Sequence, residues 1–426
     1  MAHLTQRLPW EMLADHFKFV HTNHRYQNRT NLYPRFKPDQ GKHLNHFSKV
    51  FARLIDEFSS QERAKYPADL TVPSDNEPLL NIATKKRIWK TVERYKTAVP
   101  LHLNSSNADH YVLRSEECFL PHWLSSLNTI TTSVWGTKDT EYIMHLLKTL
   151  IIYGEMEPLL RLASHTDAQR YIDASFLVGD HSWSNIQNHA LMSYLCLNVL
   201  ILKPELHDDT SRVQRLEQMK SNGETTPPKD EFDYRFTYAY QITLLGCNHD
   251  DDGSDVASYP HQQFFGALPH MYKYSMWSVN NCGLKNPKDL CQETYKDVYV
   301  PHLMDAAVVI DALGKKGLPT ELTLQILKLA DYTAGRKLPV PNDPFHPANR
   351  KELRHYLQYC WNTLIRTNIL LKAAGTWIDW EYVVNDMIFM LFGVDYPRMS
   401  RLILESDYQG RKEYEVGAPR NRRTFI

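Results

Sequence analysis

The residues Leu353, Tyr356, Leu357, Cys360, Trp361, Leu364 and Ile365 fall at i, i+3, i+4, i+7, i+8, i+11 and i+12, a pattern that lines one face of an α-helix and suits no strand. The run opens after the stretch Pro339 to Asn349 and stops near Gly375, so its ends carry the residues that interrupt helices. Ile143, Leu146, Leu147, Leu150 and Ile151 follow the same rule. Both helices are expected to pack an apolar stripe inward. A third helix is expected at Leu318-Pro319-Thr320-Glu321-Leu322, where proline suits the first turn. Leu322, Ile326 and Leu329 then share one of its faces, and Gly317 separates it from a helix carrying Ala306, Val309, Ile310 and Leu313. Strand-like pieces, such as Ser175-Phe176-Leu177-Val178-Gly179 and His110-Tyr111-Val112-Leu113, are few and scattered. The expected fold is mainly α-helical and soluble, with room for a small sheet in an α+β arrangement.

A chain of 426 residues with 42% hydrophobic and 12% aromatic residues has the composition of a globular protein, not of a disordered one. Lys220 to Asp233 concentrates Gly, Pro, Thr and charge, and the tail after Gly417 has no periodicity. These breaks divide the chain into a helical region at 1–219 with basic segments, a loop or linker at 220–233, a helical region at 234–393 and a tail at 394–426. No repeat is visible, which argues against a solenoid.

Met1 to Trp10 has no apolar core and no small-residue cleavage site, so a cytoplasmic location is expected. The longest apolar stretch, Ala190 to Leu202, holds 13 residues including Ser193 and Asn198. A membrane span needs about 20, so no membrane partner is expected and the stretch reads as a core helix. The six cysteines form no CxxC pair, which speaks against a disulfide framework or a cysteine zinc site. The 20 histidines include no HExxH set, and no metal ligand group is assigned. There is no GxxxxGK[ST], no GxGxxG and no GxSxG, and Ser182 between Asp180, His181 and Trp183 has only sequence adjacency in its favour. Neither a nucleotide cofactor nor a serine hydrolase is indicated, and no cofactor is expected.

Two segments carry the chemistry. His249-Asp250-Asp251-Asp252-Gly253-Ser254-Asp255 places Asp251, Asp252 and Asp255 at a DDxxD spacing, which can gather a hard cation or hold a guanidinium. Asp and Gly are equally the residues of an exposed acidic turn. An EF-hand is excluded, because no glutamate stands at the twelfth loop position and Pro260 interrupts the flank.

Lys plus Arg and Asp plus Glu are equal at 49 each, so any polyanion must be read by a local patch. From His16 to Lys42 the chain sets Lys18, Arg25, Arg29, Arg35, Lys37 and Lys42 against the single acid Asp39, among Phe17, Phe19, Tyr26, Tyr33 and Phe36. A second patch, on a helical pattern, holds Lys85, Lys86, Arg87, Trp89 and Lys90, followed by Arg94 and Lys96. Cations beside rings suit a nucleic-acid backbone and splayed bases; the other reading is a solvated helix face with aromatic core anchors.

The segment Leu318-Pro319-Thr320-Glu321-Leu322 to Ile326-Leu327 resembles the opening of an F-box over about ten residues. That resemblance implies a ubiquitin-ligase adaptor as partner, docking through Leu318, Pro319 and Leu322. More broadly, Val298 to Gly393, with Leu338-Pro339-Val340-Pro341, His346-Pro347-Ala348-Asn349-Arg350 and Ile378-Asp379-Trp380-Glu381, resembles a group of filamentous-fungal proteins. Some of that group are similar to the arginine-containing cyclodipeptide synthases of secondary metabolism. The resemblance implies a transferase that joins amino acids taken from aminoacyl-tRNA, with an acidic DDxxE motif needed for activity. Asp251, Asp252 and Asp255 stand at that motif, with Asp where the family has Glu. On this reading Arg25, Arg29, Arg35, Lys85, Lys86 and Arg87 meet the tRNA. The DDxxD spacing with aromatic-rich helices also leaves open a metal-dependent helical cyclase of terpene type, which would need a second metal motif that the chain does not offer.

Overall fold

The computed structural model describes residues 7–21, 30–34, 41–98, 118–128, 138–173, 184–246, 256–266, 300–330 and 335–393. The chain opens with α1 (Trp10–Ala14), then strands β1 (Phe17–Val20) and β2 (Asn31–Pro34), then the long α2 (Gly41–Arg63). Helices α3 (Ile82–Ala98), α4 (Leu120–Asn128), α5 (Lys138–Tyr153), α6 (Met156–Ala163) and α7 (Thr166–Asp173) come next. They are followed by α8 (Ser184–Ile201), α9 (Asp209–Ser221), α10 (Tyr238–Gly246) and α11 (Tyr259–Phe265). The described part ends with α12 (Leu303–Lys315), α13 (Thr320–Leu329), α14 (Arg350–Ala373) and α15 (Trp380–Phe392). The mainly α-helical fold is therefore present. Its sheet is an antiparallel pair in which Phe17 faces Pro34 and Phe19 faces Leu32, within the basic N-terminal segment. The strand-like pieces at 175–179 and 110–113 lie outside the described residues.

Helix α8 is the axis of the core. Every residue from Ala190 to Leu200 is buried, Ser193 and Asn198 included, as expected for a helix with neighbours on all sides. Helix α14 packs along it and along α2, and α15 packs against α2 on the other side. The apolar stripe of α14 is buried along its full length, and so is that of α5 from Ile143 to Ile151. Burying a single such side chain stabilises the fold by about 1.5–3 kcal/mol, so these two stripes hold α5, α8 and α14 together. Among the described residues no helix is long and apolar enough to cross a membrane. Cys118, Cys196 and Cys360 are buried and in no disulfide among the described residues.

The helix ends are decided locally. Gly375, at a φ of 76°, ends α14 where the sequence places the break, and Thr376 N–H reaches back to the Leu371 carbonyl at 3.0 Å. The left-handed turn suits glycine, and the back-bonded carbonyl replaces a lost helical partner. At the other end of α14, the buried Asn349 side chain pins the proline-rich loop: its Nδ2 donates to the carbonyls of Val340 (2.7 Å) and Asp343 (2.6 Å), and its Oδ1 accepts from Val340 N–H. Gly154, at φ 73°, ends α5 beneath the Arg366 guanidinium, which donates to the Ile151 and Ile152 carbonyls at 3.0 and 2.9 Å. A Cβ at Gly154 would meet Arg366 Nη2 at 2.6 Å.

The stretch 220–233 is exposed from Ser221 to Thr225, and its end turns inward. Phe232 and Asp233 are buried, and Asp233 accepts from Arg235 at 2.8 Å and from Arg212 at 3.3 Å. Helix α13 forms where the Leu-Pro start places it, yet its apolar face is turned outward: Leu322, Ile326 and Leu329 are all exposed. Ala306, Val309, Ile310 and Leu313 of α12 are half-buried.

Candidate functional site

Asp251, Asp252 and Asp255 lie outside the described residues, as do Arg25, Arg29 and Arg35. The ends that enclose the acidic segment are well placed. Helix α10 before it is buried from Tyr238 to Gly246, and the turn Val256 to Ser258 after it is buried as well. Asp255 stands four positions before Tyr259, the first residue of α11.

Helix α3 separates Lys85, Lys86 and Arg87 of its patch. Ile88 and Val92 are buried and fix which way the helix faces. Arg87 turns back to the α5–α6 junction, where Glu155 is buried: Nη2 donates to Glu155 Oε2 at 2.6 Å, Nε donates to Oε1, and Thr84 Oγ1 donates to Oε2 at 3.0 Å. The hydrogen bonds that Arg87 donates to Glu155, and next the charge on that carboxylate, raise the Arg87 pKa. Lys86, Trp89 and Lys90 are exposed and Lys85 is half-buried. Lys90 Nζ lies 5.9 Å from the centre of the Trp89 ring, a cation over an aromatic face. No carboxylate occurs between Ile82 and Val92, so the outer face of this stretch is positive. In the other basic segment Phe17 and Phe19 are core anchors, while Tyr26 and Phe36 lie outside the described residues. Phe17 stacks on Phe392 at 4.7 Å and Phe19 meets Phe232 edge-on at 4.9 Å, while Lys18 between them is exposed.

A polar chain crosses the buried contact between α8, α11 and α14. The Tyr356 hydroxyl donates to Ser193 Oγ at 2.9 Å and lies 2.5 Å from His261 Nδ1. With the phenol hydrogen given to serine, the His261 ring nitrogen is the donor to the Tyr356 oxygen. Ser193 and His261 are fully buried. The His189 and Tyr359 rings stand edge-on to His261 at 5.5 and 5.8 Å, and Phe264 stacks on Tyr356 at 3.8 Å. Such a chain can pass a proton between its groups or hold an imidazole in one tautomer. None of these residues stood out in the sequence, where Tyr356 reads as part of an apolar stripe and Ser193 as an interruption of an apolar run. The available signal was a polar pair, His189 and Ser193, one helical turn apart on a helix that must be buried. Among the described residues no group of three or more His, Cys, Asp or Glu side chains is placed to hold a metal ion.

These features define a largely helical protein with a buried hydroxyl–imidazole chain and an exposed cationic–aromatic helix face. The chain belongs to the family described as "Gramillins biosynthetic cluster protein GRA5", whose model matches residues 11–402. No curated protein and no solved structure matches it.

Proposed function

We propose that this protein is a cytoplasmic enzyme of fungal secondary metabolism that takes arginine from arginyl-tRNA and condenses it with a second amino acid into a cyclic dipeptide. The observation that carries the reading is the outer face of α3. Lys85, Lys86 and Lys90 beside the exposed Trp89 offer cations for phosphates and a ring for an unpaired base, the pairing that single-stranded nucleic acid requires. A family named for a biosynthetic cluster agrees with a role in making a small molecule. The arginine arrives as an activated ester, so the reaction needs no nucleotide cofactor. The α-amine of the second aminoacyl group attacks the ester carbonyl. The C–N bond forms as the C–O bond breaks, and the tRNA hydroxyl leaves with the proton that the amine gives up. A second attack of the same kind closes the ring. Catalysis then consists of positioning and proton transfer, and Asp251, Asp252 and Asp255 are the carboxylates to hold the guanidinium or receive the amine proton. Arg25, Arg29 and Arg35 extend the tRNA contact.

The test is expression in a host with its own charged tRNAs, followed by mass spectrometry of the medium. A new arginine-containing diketopiperazine is expected. It should disappear in the Asp251→Asn, Asp252→Asn double variant while the melting temperature holds. Absence of any such product from the well-expressed, folded wild type refutes the assignment, and full activity in the double variant removes the aspartates from the mechanism.

A second reading is favoured by one observation. Pro319 is exposed and Leu322 is 50% exposed, which leaves the F-box-like start of α13 open to a ubiquitin-ligase adaptor. Leu318 is half-buried. Gel filtration with the purified adaptor distinguishes this reading: co-elution lost in Leu322→Glu supports it, and separate elution of the wild type removes it.

A further inference from the structure

A cavity of about 340 Å³ opens between the C-terminal half of α2, the end of α6 and the end of α14. That volume is in the range of small-molecule sites, roughly 300–1,000 Å³. Its floor is aliphatic, made by Leu70, Leu160 and Ile369. Its rim carries two cations, Arg63 and Lys372, while the Ser164 hydroxyl, also at the rim, donates to the Arg161 carbonyl at 2.7 Å.

The rim is held in place. Arg63 Nη1 donates to the Tyr66 carbonyl at 3.1 Å and the Pro67 carbonyl at 2.8 Å, and Nη2 donates to the Ala68 carbonyl at 3.1 Å. The guanidinium thereby folds the chain beyond α2 into one wall of the cavity, and its charge is fixed at the mouth. Lys372 Nζ donates to Asp56 Oδ1 at 2.7 Å. An ammonium has three donors, so two remain for a guest. No carboxylate lines the cavity, and Asp56 beside its mouth already accepts from Lys372 and, at 3.1 Å, from Asn368 Nδ2, so a cationic guest would have to compete with Lys372 for it.

We propose that this cavity binds an aliphatic carboxylate of medium chain length, with the head at Lys372 and Arg63 and the chain over Leu160 and Ile369. An inorganic anion leaves the floor unfilled, and an amine meets like charge at the mouth. A carboxylate with an alkyl chain of medium length satisfies both halves of the site.

Isothermal titration calorimetry on the full chain with butanoate, hexanoate and octanoate tests this, with octylamine as the opposite-charge control. Each added methylene should tighten binding about threefold to fourfold, and octylamine should give no saturable heat. Lys372→Gln should weaken octanoate roughly tenfold, the effect of one lost charge-assisted hydrogen bond. Ala373→Leu, which narrows the cavity from its half-buried rim, should block octanoate with unchanged circular dichroism. Any of three results overturns the proposal: no saturable heat with octanoate, equal affinity for octylamine, or wild-type affinity in both variants.

Discussion

Tyr356 and His261 lie 95 positions apart in sequence and 2.5 Å apart in the core, phenol oxygen to imidazole Nδ1. The same phenol donates to Ser193 Oγ from the opposite side, so one hydroxyl joins three helices. Removing it takes one hydrogen-bond partner each from a buried serine and a buried histidine. Tyr356→Phe keeps the ring stacked on Phe264 and deletes only the oxygen. It should cost about 1–3 kcal/mol, the penalty for stranding buried polar groups. Urea unfolding followed by circular dichroism reads this directly, and a loss below ~0.5 kcal/mol would mean that the chain of hydroxyls contributes nothing to stability.

Acid should destabilise the protein over the range in which histidines take up protons. His16 Nε2 and His43 Nδ1 are 2.7 Å apart, a hydrogen bond that needs one ring neutral as acceptor. Burial, and next the charge on His43, hold the His16 imidazole below its ordinary value. Burial does the same for His207, which stacks on Phe345 at 4.7 Å. As pH falls through the ordinary imidazole value of about 6.5, the unfolded chain takes up these protons before the folded one. Stability is therefore fully present above that value and declines below it. Urea midpoints at about pH 7.5 and 5.5, on either side of the ordinary histidine value, should show the drop, and His16→Asn should reduce it. A midpoint that rises on acidification contradicts the assignment.

Arg87 and its lysine neighbours should separate in a tRNA-binding titration. Lys86→Ala and Lys90→Ala should each lower the slope of log affinity against log salt by about one unit, since each removes one phosphate contact. Arg87→Ala should leave the slope alone and lower the unfolding midpoint, because its guanidinium is committed to the buried Glu155. A slope reduced by Arg87→Ala at unchanged stability would place that residue on the nucleic acid instead.

Local pattern made several elements legible. The stripes of α5 and α14 were visible because a packed helix must repeat its apolar residues every three to four positions, and Gly375 marked an end because few other residues adopt its left-handed turn. Charge was a poorer guide. Lys85, Lys86 and Arg87 look alike in the sequence, yet Arg87 is taken by a carboxylate 68 positions away. The outward stripe of α13 shows the same gap: Leu322, Ile326 and Leu329 have the spacing of a buried face and are exposed. Among Phe17, Phe19 and the neighbouring cations, only the pairing of β1 with β2 and the contacts to Phe392 and Phe232 showed which side chains serve the core.

The sequence by itself determined that this chain is helical, where its strongest helices run and which of their faces are apolar, because backbone hydrogen bonding and side-chain period are set by residues within a few positions of one another. Only the tertiary structure decided which polar groups meet. Ser193, His261 and Tyr356 come from three helices, as Arg63, Leu160 and Lys372 do around the cavity. A hydrogen bond or an ion pair depends on a separation of a few ångströms in space, and the number of residues between its partners does not limit it.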